Sequence, residues 1–193
     1  MDSMTVFRSR FGQVFTVATW VILAAAQAPV FFPVDINGIA HSVPLTALLG
    51  FSVWAAFWRP SLRVDDRGIR IRNVVADYDI EWGAVQQVDT KWGLTIFTAI
   101  GKITAWATPA PGRHSAFTAS KDQGRFLPES TYLVGTIRPG DLSTSESGAA
   151  AAHIRRVWET RRDEDGVATK RVNLPVVTAF AGLVLATAIS LSI

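Results

Sequence analysis

Asp77, Asp79 and Glu81 alternate with Tyr78, Ile80 and Trp82, so a strand over these residues carries three carboxylates on one face. Carboxylates held that close can divide the work of general acid and general base. Upstream, Ile69 and Ile71 alternate with Arg70 and Arg72, and Asn73 to Ala76 supply a turn. Folding about that turn sets Arg72 opposite Asp77, Ile71 opposite Tyr78, Arg70 opposite Asp79 and Ile69 opposite Ile80. A slip of one residue would send the isoleucines to the charged side, so the pattern dictates both the pairing and the buried face. Two of the three carboxylates then have arginine partners, and exposed pairs of that kind contribute roughly 0 to 1 kcal/mol each. They are sheet surface rather than an active site.

Other chemistries find no better footing. The chain has no cysteine, which removes thiolate nucleophiles, disulfides and thiolate metal sites. His41, His114 and His153 fall in three different settings, with no second histidine at helical spacing. There is no glycine-rich phosphate loop before a helix and no G-x-S-x-G turn. Asp163-Glu164-Asp165 reads as a solvated helix end. The expectation is a non-enzyme without cofactor or metal. A net charge of +3, much of it at the flanks of apolar runs, leaves no basic stripe for nucleic acid.

Binding residues are easier to nominate. Thr178, Gly182, Ala186 and Ser190 recur every four residues, a small-residue stripe of the kind that lets membrane helices approach closely. The stripe could pack on this chain's own helices or on an external membrane protein, with equal weight. Arg113, Lys121 and Arg125 make the segment from Thr108 to Ser130 mildly basic, and that segment is rich in Pro, Gly, Ser and Ala. A loop of this length could serve a partner, although a mobile solvated loop is the commoner role.

The elements that must position these residues fall into two classes. Phe11 to Val34, Ile39 to Trp58 and Val172 to Ile193 contain no Asp, Glu, Lys or Arg, and each is long enough for a transmembrane helix. The spans are expected at about residues 11–33, 39–58 and 173–193. Arg8, Arg10 and Ala26-Gln27-Ala28 also fit a signal peptide, but Pro29 follows at once and the apolar run continues, which favours an uncleaved helix. Arg8, Arg10, Arg59, Arg63, Lys170 and Arg171 flank the spans on one side, whereas the loop from Pro33 to Gly38 holds only Asp35. The positive-inside bias therefore places the N-terminus and the segment between the second and third spans in the cytoplasm, and the C-terminus outside the plasma membrane. His41 falls at the outer edge, where solvation is its usual fate.

After Pro60 the period changes to two. Leu62 and Val64 suggest a strand, Asp65 to Gly68 a tight turn, and Trp82, Val85 and Val88 a short helical step into a strand through Lys91. Leu94 to Ile100, Ile103 to Ala107 and Thr131 to Ile137 follow as strands. Ser143 and Glu146 have capping-box spacing before a helix whose inner face is Ala150, Ile154, Val157 and Trp158. Gly166 ends it, a charged linker follows, and Asn173 before Pro175 starts the last span. This divides the chain into a helical hairpin (1–58), a soluble α+β domain (59–165) and a linker with the third span (166–193).

Seven short strands followed by one amphipathic helix is the element order of a pleckstrin-homology-like domain. The run RPSLRVDDRGIRIRN from Arg59, with the later IEWGAVQQV, resembles the bacterial PH-like domains of small actinobacterial membrane proteins. Pro60, Asp66, Gly68, Arg70, Arg72, Trp82 and Val85 carry the likeness. It implies a seven-stranded β-sandwich or barrel capped by a C-terminal helix, here clamped to the bilayer at both ends. Phosphoinositide-binding PH domains use unpaired basic residues around the first turn, where this chain has Asp65 and Asp66. The leading expectation is accordingly association with other integral membrane proteins, as an accessory or assembly subunit of a complex such as an actinobacterial respiratory supercomplex. Recognition of membrane-lipid headgroups is the alternative.

Overall fold

The computed structural model describes residues 4–32, 34–91, 93–109 and 146–192. The strand expected over Thr131 to Ile137, the capping residue Ser143 and nearly all of the long loop lie outside them. The chain runs β1 (Thr5–Phe7), α1 (Arg10–Phe31), α2 (Ile36–Val53), a π-helical turn (Trp54–Trp58), β2 (Ser61–Asp65), β3 (Gly68–Arg72) and β4 (Ala76–Glu81). A 3-10 turn (Trp82–Ala84) leads to β5 (Gln87–Asp89), β6 (Gly93–Thr98) and β7 (Gly101–Pro109). Then come α3 (Glu146–Arg161), β8 (Ala168–Val172) and α4 (Leu174–Ser192).

Helix α1, the segment Ile36–Trp58 and α4 are each long and apolar enough to cross a membrane. The Ser9 hydroxyl caps α1 by accepting the Gly12 N–H at 3.3 Å. Polar side chains tie the helices together where lipid offers no hydrogen bonds. Trp20 Nε1 donates to the Gly50 carbonyl at 3.1 Å, and Ser42 Oγ donates to Gln27 Oε1 at 2.8 Å. Ser190 Oγ donates to the Ala40 carbonyl at 2.8 Å, joining α4 to α2. His41 stays exposed, yet its Nδ1 donates to the Ser190 carbonyl at 2.7 Å, since a carbonyl can only accept. At the other end of α1 a Cβ on Gly12 would lie 2.5 Å from the Phe57 carbonyl. Glycine there lets the first turn of α1 press against the π-helical turn.

The β3–β4 register is the one that the alternation dictates: Ile69 pairs with Ile80, Arg70 with Asp79, Ile71 with Tyr78 and Arg72 with Asp77. Leu62, Val64, Ile69, Ile71, Ile80 and Trp82 are buried, and the arginines lie on the opposite, solvent-facing side. Trp82 Nε1 donates to the Asp65 carbonyl at 3.2 Å, so the indole is buried with its polar atom satisfied. Ala150, Ala151 and Ile154 on α3 complete the same core, with Val157 and Trp158 packed at its margin.

Two expectations are corrected. The strands do not form a closed barrel: among the described residues they make two open antiparallel sheets, of order β1-β2-β3-β4-β8 and β5-β6-β7. Strands from outside the expected domain, β1 and β8, occupy both edges of the first sheet, and those are the edges that closure would have to use. One side chain bridges the sheets: Asn73 Nδ2 donates to the Thr104 carbonyl at 2.8 Å, and Asn73 Oδ1 accepts the Trp106 N–H at 3.0 Å. The second correction is the linker. Residues Ala168–Val172 are strand β8, paired with β4 from Ile80 opposite Ala168 to Ala76 opposite Val172. Gly166 lies beyond the end of α3 and against Gly83, where a Cβ on Gly83 would fall 1.8 Å from the Glu164 carbonyl. That close approach of two backbones starts β8.

Candidate functional site at the membrane-proximal edge of the first sheet

Strand β1 runs directly into α1, α2 and its π-helical turn run into β2, and β8 runs into α4. Because β1 pairs with β2, with Phe7 opposite Leu62, the first span leaves from beside the point where the second returns. Because β8 pairs with β4, the third span leaves from the same end of the sheet, at its opposite edge. All three candidate spans therefore depart from one end of β1, β2 and β8.

Asp77 holds that end together. Its Oδ1 accepts from Arg59 Nη2 at 2.9 Å and its Oδ2 from the same nitrogen at 3.3 Å. Arg59 Nη1 also donates to the Val74 carbonyl at 3.3 Å. On the other side Asn173 Nδ2 donates to Asp77 Oδ2 at 3.4 Å, and the Asn173 N–H donates to the Val75 carbonyl at 2.9 Å. Asn173 Oδ1 meanwhile caps α4 by accepting the Val176 N–H at 3.2 Å. One carboxylate and the β3–β4 turn thus clasp the end of the second span and the start of the third. The Arg59 side chain is only 6% exposed and that of Asp77 26%, so this pair is screened far less than a surface pair.

The expected partner of Asp77 was Arg72, and the structure ranks it second, with Nε 3.8 Å from Oδ2. Arg70 and Asp79 do pair, at 2.7 Å, with side chains 53% and 39% exposed. The signal for Arg59 was present but ambiguous, since a basic residue after a span also serves topology. Asn173 was read as a helix start, and it has this second role.

The outer face of the sheet is a charge grid. Across β2, β3, β4 and β8 one row reads Ser61, Arg72, Asp77, Arg171, and the next reads Arg63, Arg70, Asp79, Thr169. The Asp65–Gly68 turn closes the far end, where Asp65 Oδ1 accepts the N–H groups of Arg67 at 2.9 Å and Gly68 at 3.2 Å. Asp66 lies 3.9 Å from Arg161. A separate apolar cavity of about 420 Å³ opens beside the membrane leads, between Phe11, Ala56 and Phe57 on one side and Thr104, Ala105 and Trp106 on the other.

The nominated stripe on the last span is split. Thr178, Gly182 and Ala186 are exposed, and nothing lies within 4 Å of a Cβ built on Gly182. Ser190 is 6% exposed and bonds to α2, and Val176 and Thr187 are buried as well. Residues four apart advance by about 40° round a helix of 3.6 residues per turn, so a four-residue stripe winds from one face to the next. Arg113, Lys121 and Arg125 lie outside the described residues.

Residues 59–128 match the family model described as bacterial PH domain. The match begins at Arg59, the residue that enters the clasp. No curated protein and no solved structure matches the chain. The chain has no cysteine, and among the described residues no group of His, Asp and Glu could hold a metal ion. The chain thus joins a PH-like region to three candidate membrane spans.

Proposed function

We propose that this protein is a membrane-anchored PH-like module that engages lipid headgroups, with the first sheet held upright at the bilayer surface. The observation that carries the reading is the common end of the sheet from which all three membrane leads depart. It removes the main objection to lipid binding. The acidic turn at Asp65 and Asp66 is at the far end of β2, about 14 Å from Ser61 at roughly 3.4 Å per residue. Its carboxylates face away from the bilayer to which the domain is tied, and Asp65 is occupied by the turn itself. The nearer rows carry the arginines. The apolar cavity beside Phe11 and Trp106 is at the level where an acyl chain meets its headgroup.

Reconstitution of the full chain in nanodiscs of phosphatidylcholine, with and without phosphatidylglycerol, tests this reading by counting retained lipids in native mass spectra. Selective retention of the anionic lipid supports it, and indifference to headgroup sinks it.

The arginines and lysine at the domain side of the spans favour a cytoplasmic domain and an external C-terminus. A cysteine at Asn37 is then labelled by an impermeant thiol reagent in intact cells and one at Thr160 is not. The reverse pattern inverts the topology.

The exposed face of Thr178, Gly182 and Ala186 favours a second reading, association with another membrane protein as an accessory subunit. A respiratory supercomplex as its home rests on family resemblance alone. Replacing Gly182 and Ala186 by Leu removes co-purifying chains under that reading and changes nothing under the first.

A further inference from the structure

The charge grid of the first sheet has a fault in it. Arg63 on β2 is paired directly with Arg70 on β3. Like charges opposite one another across a strand pair are destabilising. Asp79 answers Arg70 at 2.7 Å, and no described carboxylate answers Arg63. Its other neighbour across the ladder is Val6 of β1, and among the described residues its side chain has no ion pair or hydrogen bond. Leu62 and Val64 on either side are fully buried, so the Arg63 guanidinium is on the outer face.

Strand β1 enlarges the imbalance. Val6 is exposed and Phe7 packs against the core, so the alternation carries Arg8, which is exposed, onto the outer side beside Arg63. Arg8 likewise has no ion pair among the described residues. Three carboxylates of this face are on β4, two strands away: Asp77 is engaged by Arg59, Asn173 and Arg72, Asp79 by Arg70, and Glu81 accepts the Val167 N–H. Asp65, at the far end of β2, is taken up by the N–H groups of Arg67 and Gly68, so among the described residues the end of β1 and β2 nearest the helices presents Arg8 and Arg63 without a carboxylate partner.

We infer that Arg8 and Arg63, with Arg70 at the margin, form a site for the phosphoryl group of an anionic lipid of the membrane to which the chain is anchored. The location selects that source. Ser61, the first residue of β2, directly follows Pro60 at the exit of the second span, and Arg63 is two residues further along, about 7 Å at strand spacing. Arg8 immediately precedes the cap of the first span. Both side chains therefore reach headgroup phosphates without any movement of the domain, and guanidinium groups bind phosphate oxygens through paired N–H donors. An anion between Arg63 and Arg70 also cancels the repulsion that the register imposes. This inference rests on the headgroup reading above and narrows it to one corner of the sheet.

The test uses the full chain in nanodiscs of phosphatidylcholine mixed with phosphatidylglycerol. The expected result is enrichment of phosphatidylglycerol around the wild type, reduced about fivefold by Arg63→Gln and again by Arg8→Gln. Arg156→Gln, on the exposed side of α3, leaves the enrichment unchanged. In detergent without anionic lipid, Arg63→Gln melts at the wild-type temperature or above it, because a like-charge neighbour has gone. Short-chain phosphatidylglycerol raises the melting temperature of the wild type and not that of the variant. Should Arg63→Gln fail to fold, Arg8→Gln, outside any strand, carries the same comparison. Wild-type enrichment that both variants retain overturns the site and leaves the headgroup reading standing, whereas a wild type without enrichment overturns both. Inorganic phosphate that stabilises the wild type as well as the short-chain lipid does at equal concentration overturns the assignment to lipid.

Discussion

Two arginine–aspartate pairs on one sheet face, Arg59 with Asp77 and Arg70 with Asp79, have nearly the same length, 2.9 and 2.7 Å. They differ in surroundings. The Arg59 guanidinium is sealed between a membrane lead and the β3–β4 turn, and its carboxylate partner also binds Asn173. The Arg70 pair stands in solvent beside an uncompensated arginine. Distance alone would rank them equal, but burial and shared partners make the first a structural joint and the second a replaceable ornament.

The sharpest way to break this comparison is Asp77→Ala. It leaves a nearly buried guanidinium without its carboxylate and should cost about 3 kcal/mol, the lower part of the range for a broken buried pair because Asp77 retains some exposure. Chemical denaturation in detergent measures it, and a loss below that of the Arg70 variants would reverse the ranking. Asn173→Ala removes the α4 cap and one arm of the clasp while leaving the Arg59 pair, and should cost about 1 kcal/mol. Arg70→Glu faces Asp79 with a second carboxylate and should cost less than about 1 kcal/mol, with Asp79→Lys restoring much of it. A double variant as unstable as the sum of the singles would show that the two side chains do not interact. Arg72→Gln, whose nitrogen is 3.8 Å from an oxygen already served twice, should change stability by only a few tenths of a kcal/mol.

The pairing of Ile69 through Arg72 with Asp77 through Ile80 was legible because a short turn joins the strands and only one register buries the isoleucines. The clasp was legible in part. Asp77 stood out as a carboxylate on the charged face, but its partner Arg59 is separated from it by two strands and two turns, and no local period links them. Arg63 drew notice only as a topological charge, because its like-charged neighbour emerges from the β2–β3 ladder and its corner from β1.

Local pattern and composition alone determined three helices long and apolar enough to cross a membrane, the hairpin register and the buried face of α3, since each depends on period or length within one segment. Tertiary structure alone decided the edges of the first sheet. Thr5–Phe7 is too short to show a period, and Ala168–Val172 is mostly exposed with no apolar alternation. Their strand character comes from backbone hydrogen bonds to a sheet edge already in place. What brings β1 to β2 is the antiparallel packing of α1 on α2, which returns the chain to the side it left. Among the described residues the first sheet stays open for the same reason: the edges that a barrel would have joined are filled by strands that the apolar helices deliver.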